Sequence, residues 1–145
     1  MKSIEIPRPT THWLVFDRRD EVLATLRRFA KDQRVRGARF AALGAFSRAV
    51  IAYWLPEKRA YEPVEVPEQV EVLSLLGDVA EEDGQVRIHA HAVLGRRGGA
   101  AIGGHLIEAI VHPTLEMHLV DYGRPIERRK DGETGLALID LGTAP

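Results

Sequence analysis

The stretch RIHAHAVLGRRGGAAIGGHL, residues 87–106, constrains the fold more than any other. Two strand-like runs flank a glycine-studded turn, so the chain here is expected to double back as an antiparallel hairpin. Residues two apart in a strand share a face. His89 and His91 then project side by side, while Ile88, Ala90, Ala92 and Leu94 form the opposite, apolar face. With the turn centred near Gly98, His105 pairs opposite His91 and joins the histidine face. Opposed residues have Cβ atoms about 5 Å apart, close enough for imidazoles to converge. A register shift of one residue would send His105 to the other side.

Three neutral imidazoles around an ion leave a fourth tetrahedral position free, the pattern of zinc sites of catalytic type. A single histidine on a strand is usually a half-buried polar residue, and it is the third one across the hairpin that adds specificity. The expected metal ligands are therefore His89, His91 and His105, with zinc preferred among divalent metals that bind imidazole. His12, His112 and His118 are expected at the surface or in packing roles. Glu71 and Glu108 are the nominated acid–base partners, set against a plainer role in salt bridges or an interface. No catalytic residue is assigned. The glycines match neither G-x-G-x-x-G nor the Walker pattern, and their flanks are two strands, so a nucleotide loop is rejected. GAFSRA is not a nucleophile elbow, and the chain has no G-x-S-x-G.

The remaining chain supplies one helix and a set of strands. In DRRDEVLATLRRFAKDQRV, Val22, Leu23, Leu26, Phe29 and Ala30 fall at helical spacing, with Asp17 or Asp20 able to cap the start and Gly37 just past the end. Strands are expected at THWLVF, at GARFAALGAF and SRAVIAYWLP meeting near Gly44, and at KRAYEPVEV. QVEVLSLLGDV is apolar on both faces and reads as a central strand. HLIEAIV is expected to break at Pro113 before LEMHLVDY, and GLALIDL closes the chain. One amphipathic helix and roughly seven or more strands make an α+β domain, a mostly antiparallel sheet with the helix packed on it. Residues 1–145 are expected to form a single domain, with a core at about 13–141.

Composition narrows the function classes. Hydrophobic residues are 45% and charged residues 28%, as in globular chains, and the formal net charge is -1. Bulk charge thus gives no case for nucleic acid or an anionic membrane. The absence of cysteine removes disulfides and thiolate sites and suits a reducing cytosol. The first residues lack an apolar signal core, and FAALGAFSRAVIAYWL is too short and carries Arg48, so a cytoplasmic protein without a membrane span is expected.

EVLSLLGDV, RIHAHAVL and GGHLIEAIV, in this order and spacing, resemble the plants-and-prokaryotes conserved (PPC) domain, over about Trp13 to Leu141. The resemblance implies an α+β fold around an antiparallel sheet, homotrimers, and stand-alone prokaryotic members labelled DNA-binding by association. The family's histidine pattern falls on His89, His91 and His105. The fold is also similar to acetolactate decarboxylase, a zinc enzyme whose ligands form H-x-H plus a later histidine. Its other catalytic groups do not map onto this chain.

Plant members carry a separate AT-hook with an R-G-R-P core. Here the nearest match is YGRPIERR, where Tyr122 replaces the first arginine and Glu127 follows, so a turn is the better reading. Basic faces remain on the helix, at Arg27, Arg28, Lys31 and Arg34, and at Arg124, Arg128, Arg129 and Lys130. Three readings follow: a homotrimeric module with a metal, a DNA-associated or regulatory role and a small anion or carboxylate ligand; a zinc-dependent enzyme on a small carbonyl or carboxylate substrate; and direct DNA binding. The third is expected to be weak or absent.

Overall fold

Two-residue periodicity in long apolar runs gives long strands, and the computed structural model, which describes residues 3–6 and 8–142, contains eight of them with one helix. The order is β1 (Thr10–Phe16), α1 (Val22–Asp32), β2 (Ala38–Leu55), β3 (Ala60–Val66), β4 (Val70–Glu82), β5 (Gln85–Gly95), β6 (Ala101–Asp121), β7 (Glu127–Lys130) and β8 (Ala137–Asp140). Every strand pairing is antiparallel except the short contact of β4 with β7. β2 bonds to both β4 and β6, and β5 bonds to the same two strands, so these four close a ring of ladders. The architecture is α+β, as the patterning predicts.

Two breakpoints fall differently. Gly44 does not join two strands; β2 runs through it, with a register shift on each neighbour. Its φ is +152°, and a Cβ there would lie 2.3 Å from the Thr114 carbonyl oxygen. The glycine marks a close crossing of β2 over β6 rather than a turn. Pro113 likewise does not break β6, which is continuous over 21 residues. The ladder skips from Val111 to Leu115 opposite Phe46 and Gly44, so the proline sits in a bulge where no ladder donor is needed.

The helix is capped by neither aspartate nor by Gly37. Glu21 takes the N-cap, accepting from the amides of Leu23 and Ala24. At the other end Arg34 adopts φ +57°; its amide donates to Lys31 O at 3.2 Å and that of Val35 to Ala30 O at 2.8 Å, a Schellman closure. Gly37 instead lets the chain after β6 approach, since a Cβ would meet the Arg124 carbonyl at 2.4 Å. Val22, Leu26 and Ala30 are wholly buried against the core, which includes Phe46, Leu75, Leu94, Leu115 and Met117. α1 packs on β5 and β6, on the face carrying Ala90, Ala92, Leu94 and Leu106. The opposite face of those two strands carries the histidines.

Candidate metal centre

Two turns set the register of this face. Asp83 and Gly84, at φ +51° and +71°, close a two-residue hairpin that pairs Glu82 with Gln85, and hence Asp78 with His89 and Leu76 with His91. Gly98 and Gly99, both at positive φ, close the next, where the Arg96 amide donates to Ala100 O at 2.8 Å. His91 then pairs directly with His105, the register the sequence suggests. Gly103 and Gly104 leave room beside it: a Cβ on Gly104 would stand 2.7 Å from the Ala52 carbonyl.

His89, His91 and His105 form a single cluster. Their ring centroids are 5.1, 5.2 and 5.4 Å apart, and one ligand nitrogen from each lies within 4.8 Å of the others. That spacing lets three imidazole nitrogens be directed at one ion. Tyr61, from β3, stacks on His105 at 4.5 Å. The cluster opens into a cavity of about 470 Å³ lined also by Glu82, Arg87, Ile88, Arg128, Leu136, Ala137 and Leu138.

The donor set fits a divalent metal on two observations. His105 Nδ1 is buried without a hydrogen-bond partner. An orphaned buried group costs about 1–3 kcal/mol; His112 Nδ1 is orphaned in the same way outside the cluster, so it is convergence with two other imidazoles that sets His105 apart. Two of the rings, His91 and His105, are also biased towards the neutral form that can ligate a metal. Burial, followed by the charges of His89, His91 and Arg128, lowers the His105 pKa to about 4. Burial and then His89 lower that of His91.

Behind His89 stands a carboxylate that sequence reasoning missed. Asp78 Oδ2 lies 3.4 Å from His89 Nδ1, and Arg128 Nη2 donates to both Asp78 oxygens at 2.8 Å. Burial alone would raise the Asp78 pKa, but the bonds from His89 and Arg128 outweigh it and leave it below the usual carboxylate value. The nominated carboxylates lie elsewhere. Glu108 pairs with Arg48, and Glu71 lines a separate cavity with Gln69, Arg96 and Arg97. Counting back from the Asp83–Gly84 turn would have found Asp78. Arg128 gave no such signal, because it arrives on β7, a strand too short and polar to read. The remaining three histidines sit apart: His12 meets Phe29 edge-on at 5.5 Å, His118 meets Trp13 at 5.2 Å, and His112 lies in the β6 bulge, its carbonyl accepting from Gln69 Nε2 at 2.7 Å.

Arg128 is also lost from the basic face assigned to it. Its side chain is 9% exposed and engaged by Asp78, while Arg129 pairs with Asp140 and Glu127.

The family model of the Plants and Prokaryotes Conserved (PCC) domain matches residues 5–122. A metal-containing protein of Archaeoglobus fulgidus is 33% identical, with a TM-score of 0.88 over 96% of this chain and 99% of that one. A plant- and prokaryote-conserved protein of Pyrococcus horikoshii is 30% identical, with a TM-score of 0.86 over 97% of this chain and 100% of its own. A Bacteroides thetaiotaomicron protein with a provisional DNA-binding name is 26% identical, with a TM-score of 0.87 over 97% and 95%. No curated protein matches the chain.

Proposed function

The chain belongs to the Plants and Prokaryotes Conserved domain family, and from that premise we propose that residues 1–145 form one domain of a homotrimeric binding module, in which His89, His91 and His105 hold zinc and the cavity above them takes a small carboxylate or other anion. The observation that carries this reading is the convergence of three imidazoles in a cavity of about 470 Å³. Bound there, the ion would supply a Lewis-acid centre and a charge that attracts anions. The metal-containing Archaeoglobus relative supports it. Tyr61, Ile88, Leu136 and Leu138 give the ligand apolar walls, and Arg87 and Arg128 add positive charge, each already balanced by a carboxylate.

The alternative, a zinc-dependent enzyme on a small carbonyl or carboxylate substrate, draws on the same cavity. It needs an acid–base group that can exchange a proton near neutrality. Glu82, the carboxylate among the lining residues, is paired with Arg87 at 2.8 Å, and Asp78 with Arg128. These commitments favour binding over catalysis.

A homotrimer is supported by apolar side chains left on the histidine side of the sheet. Trp13, Leu43, Leu73 and Leu76 are each more than half exposed and line one shallow cavity. Leu76 pairs with His91, so this surface runs up to the metal centre. A role close to DNA, as the Bacteroides relative's name suggests, would then come through assembly. Direct contact is left to the helix residues Arg27, Arg28, Lys31 and Arg34, with Arg124 and Lys130 of the second basic face, and is expected to be weak and salt-sensitive. No helix among the described residues is long and apolar enough to cross a membrane. Cytoplasmic residence is part of the proposal, supported by the cysteine-free composition.

Calorimetric titration with pyruvate tests the ligand. Zinc-loaded protein should bind it, and protein with His89, His91 and His105 all changed to alanine should not. Equal heats from the two proteins would refute this reading, and steady consumption of pyruvate would favour the enzyme.

A further inference from the structure

We propose that Arg128, on the C-terminal β7–β8 hairpin, is a positioning residue for the metal centre: through Asp78 it fixes which ring nitrogen His89 presents to the ion, and so couples metal binding to docking of the hairpin. The inference rests on the metal reading of the three histidines. Arg128 lies beyond the residues that the family model matches, 5–122.

The geometry is a relay. Arg128 Nη1 donates to the Ala137 carbonyl at 2.6 Å, and Nη2 donates to both oxygens of Asp78 at 2.8 Å. The guanidinium thus ties β8 to β4. Asp78 Oδ2 is also 3.4 Å from His89 Nδ1, and Arg128 Nη2 is 3.3 Å from that same nitrogen. These two contacts ask for opposite tautomers if both are hydrogen bonds, because a guanidinium only donates and an ionised carboxylate only accepts. Arg128 Nη2 is already spent on Asp78. We therefore assign the proton to Nδ1, donated to Asp78 Oδ2. Two donors sharing one acceptor then account for their close approach. The lone pair is left on Nε2, as in carboxylate–histidine–metal arrangements.

The hairpin has few other polar ties to the sheet. Its pairing with β4 is confined to Glu81 opposite Glu127, next to the Glu81 amide bonding Ile126 O at 2.8 Å. Leu136, Ala137 and Leu138 of the hairpin nevertheless form part of the wall of the histidine cavity. A docked hairpin that favours the ligating tautomer must, by reciprocity, be favoured by the metal to the same extent. A plain structural ion pair would show no such coupling.

The test uses zinc itself. Affinity is measured by competition with a chromophoric chelator in the wild type, Arg128→Gln and Arg128→Lys. Arg128→Gln should lose about 10- to 100-fold in affinity, the usual effect of removing a group that orients a ligand. Arg128→Lys, which keeps the charge, should recover part of it. In the metal-free protein, ¹⁵N shifts of His89 should report a protonated Nδ1 in the wild type and a mixture in Arg128→Gln. Zinc should slow amide exchange across residues 127–140 in the wild type and far less in the variant. Should Arg128→Gln lose the fold, Asp78→Asn keeps the shape, removes the charged acceptor and carries the same test. Wild-type affinity and an unchanged His89 tautomer in the variant, or hairpin exchange indifferent to zinc, would overturn the coupling while leaving the metal centre standing. A wild type that binds no zinc would overturn the metal reading, and this inference with it.

Discussion

Burial, with His89, His91 and Arg128 close by, brings the His105 pKa to about 4, against about 6.5 for an exposed imidazole. In metal-free protein the unfolded chain therefore binds a proton at His105 below pH 6.5, while the folded chain does not until about pH 4. The unfolded state holds more protons across that window, so stability falls as pH falls from 6.5 to 4. His91, lowered by burial and His89, acts with the same sign. Asp78, depressed below 3.8, contributes stability that is lost only further down the scale, beneath this window. Denaturant midpoints of metal-free wild type and His105→Gln, measured from pH 7 to 4, should show a shallower acid loss in the variant; parallel curves would contradict it. The clustering of the three histidines was legible because alternation and a turn near Gly98 suffice to place them. Asp78 was also readable by counting from Asp83–Gly84, but Tyr61 and Arg128 reach the cavity by tertiary routes that no local pattern encodes.

The same contrast holds for elements. The helix is marked by spacing that buries Val22, Leu26 and Ala30 on one side, and each hairpin around β5 is marked by glycine at positive φ. The continuity of β2 and β6 was hidden, because Gly44 and Pro113 have the composition of breaks. Glycine at a close crossing and proline in a bulge look the same in sequence as residues of a turn. Their roles are decided by the strand lying across them. Since α1 backs β5 and β6, the helix supports the three-histidine cluster from behind. Leu26 is fully buried there, so Leu26→Ala should cost about 2–5 kcal/mol in urea unfolding, from lost burial and the cavity left behind. A cost under 1 kcal/mol would mean that the helix is not packed as described.

On the scale of the whole molecule, the ring of β2, β4, β5 and β6 turns one face to the helix and core, and leaves the other to carry both the histidines and the exposed Leu43, Leu73 and Leu76. Apolar area of this kind beside a polar site is what an interface between copies would cover. Trp13, Leu43, Leu73 and Leu76 supply much of the exposed apolar surface, with Tyr53 and Ile107 also exposed, at 68% and 44%. Native mass spectrometry tests metal and assembly together, in the wild type and in the variant with His89, His91 and His105 changed to alanine. The wild type should fly as a trimer with about one zinc per chain, the occupancy expected of one three-histidine site in each, and the variant as a folded, zinc-free protein. A wild type devoid of metal, or a variant that keeps its zinc, would contradict the account.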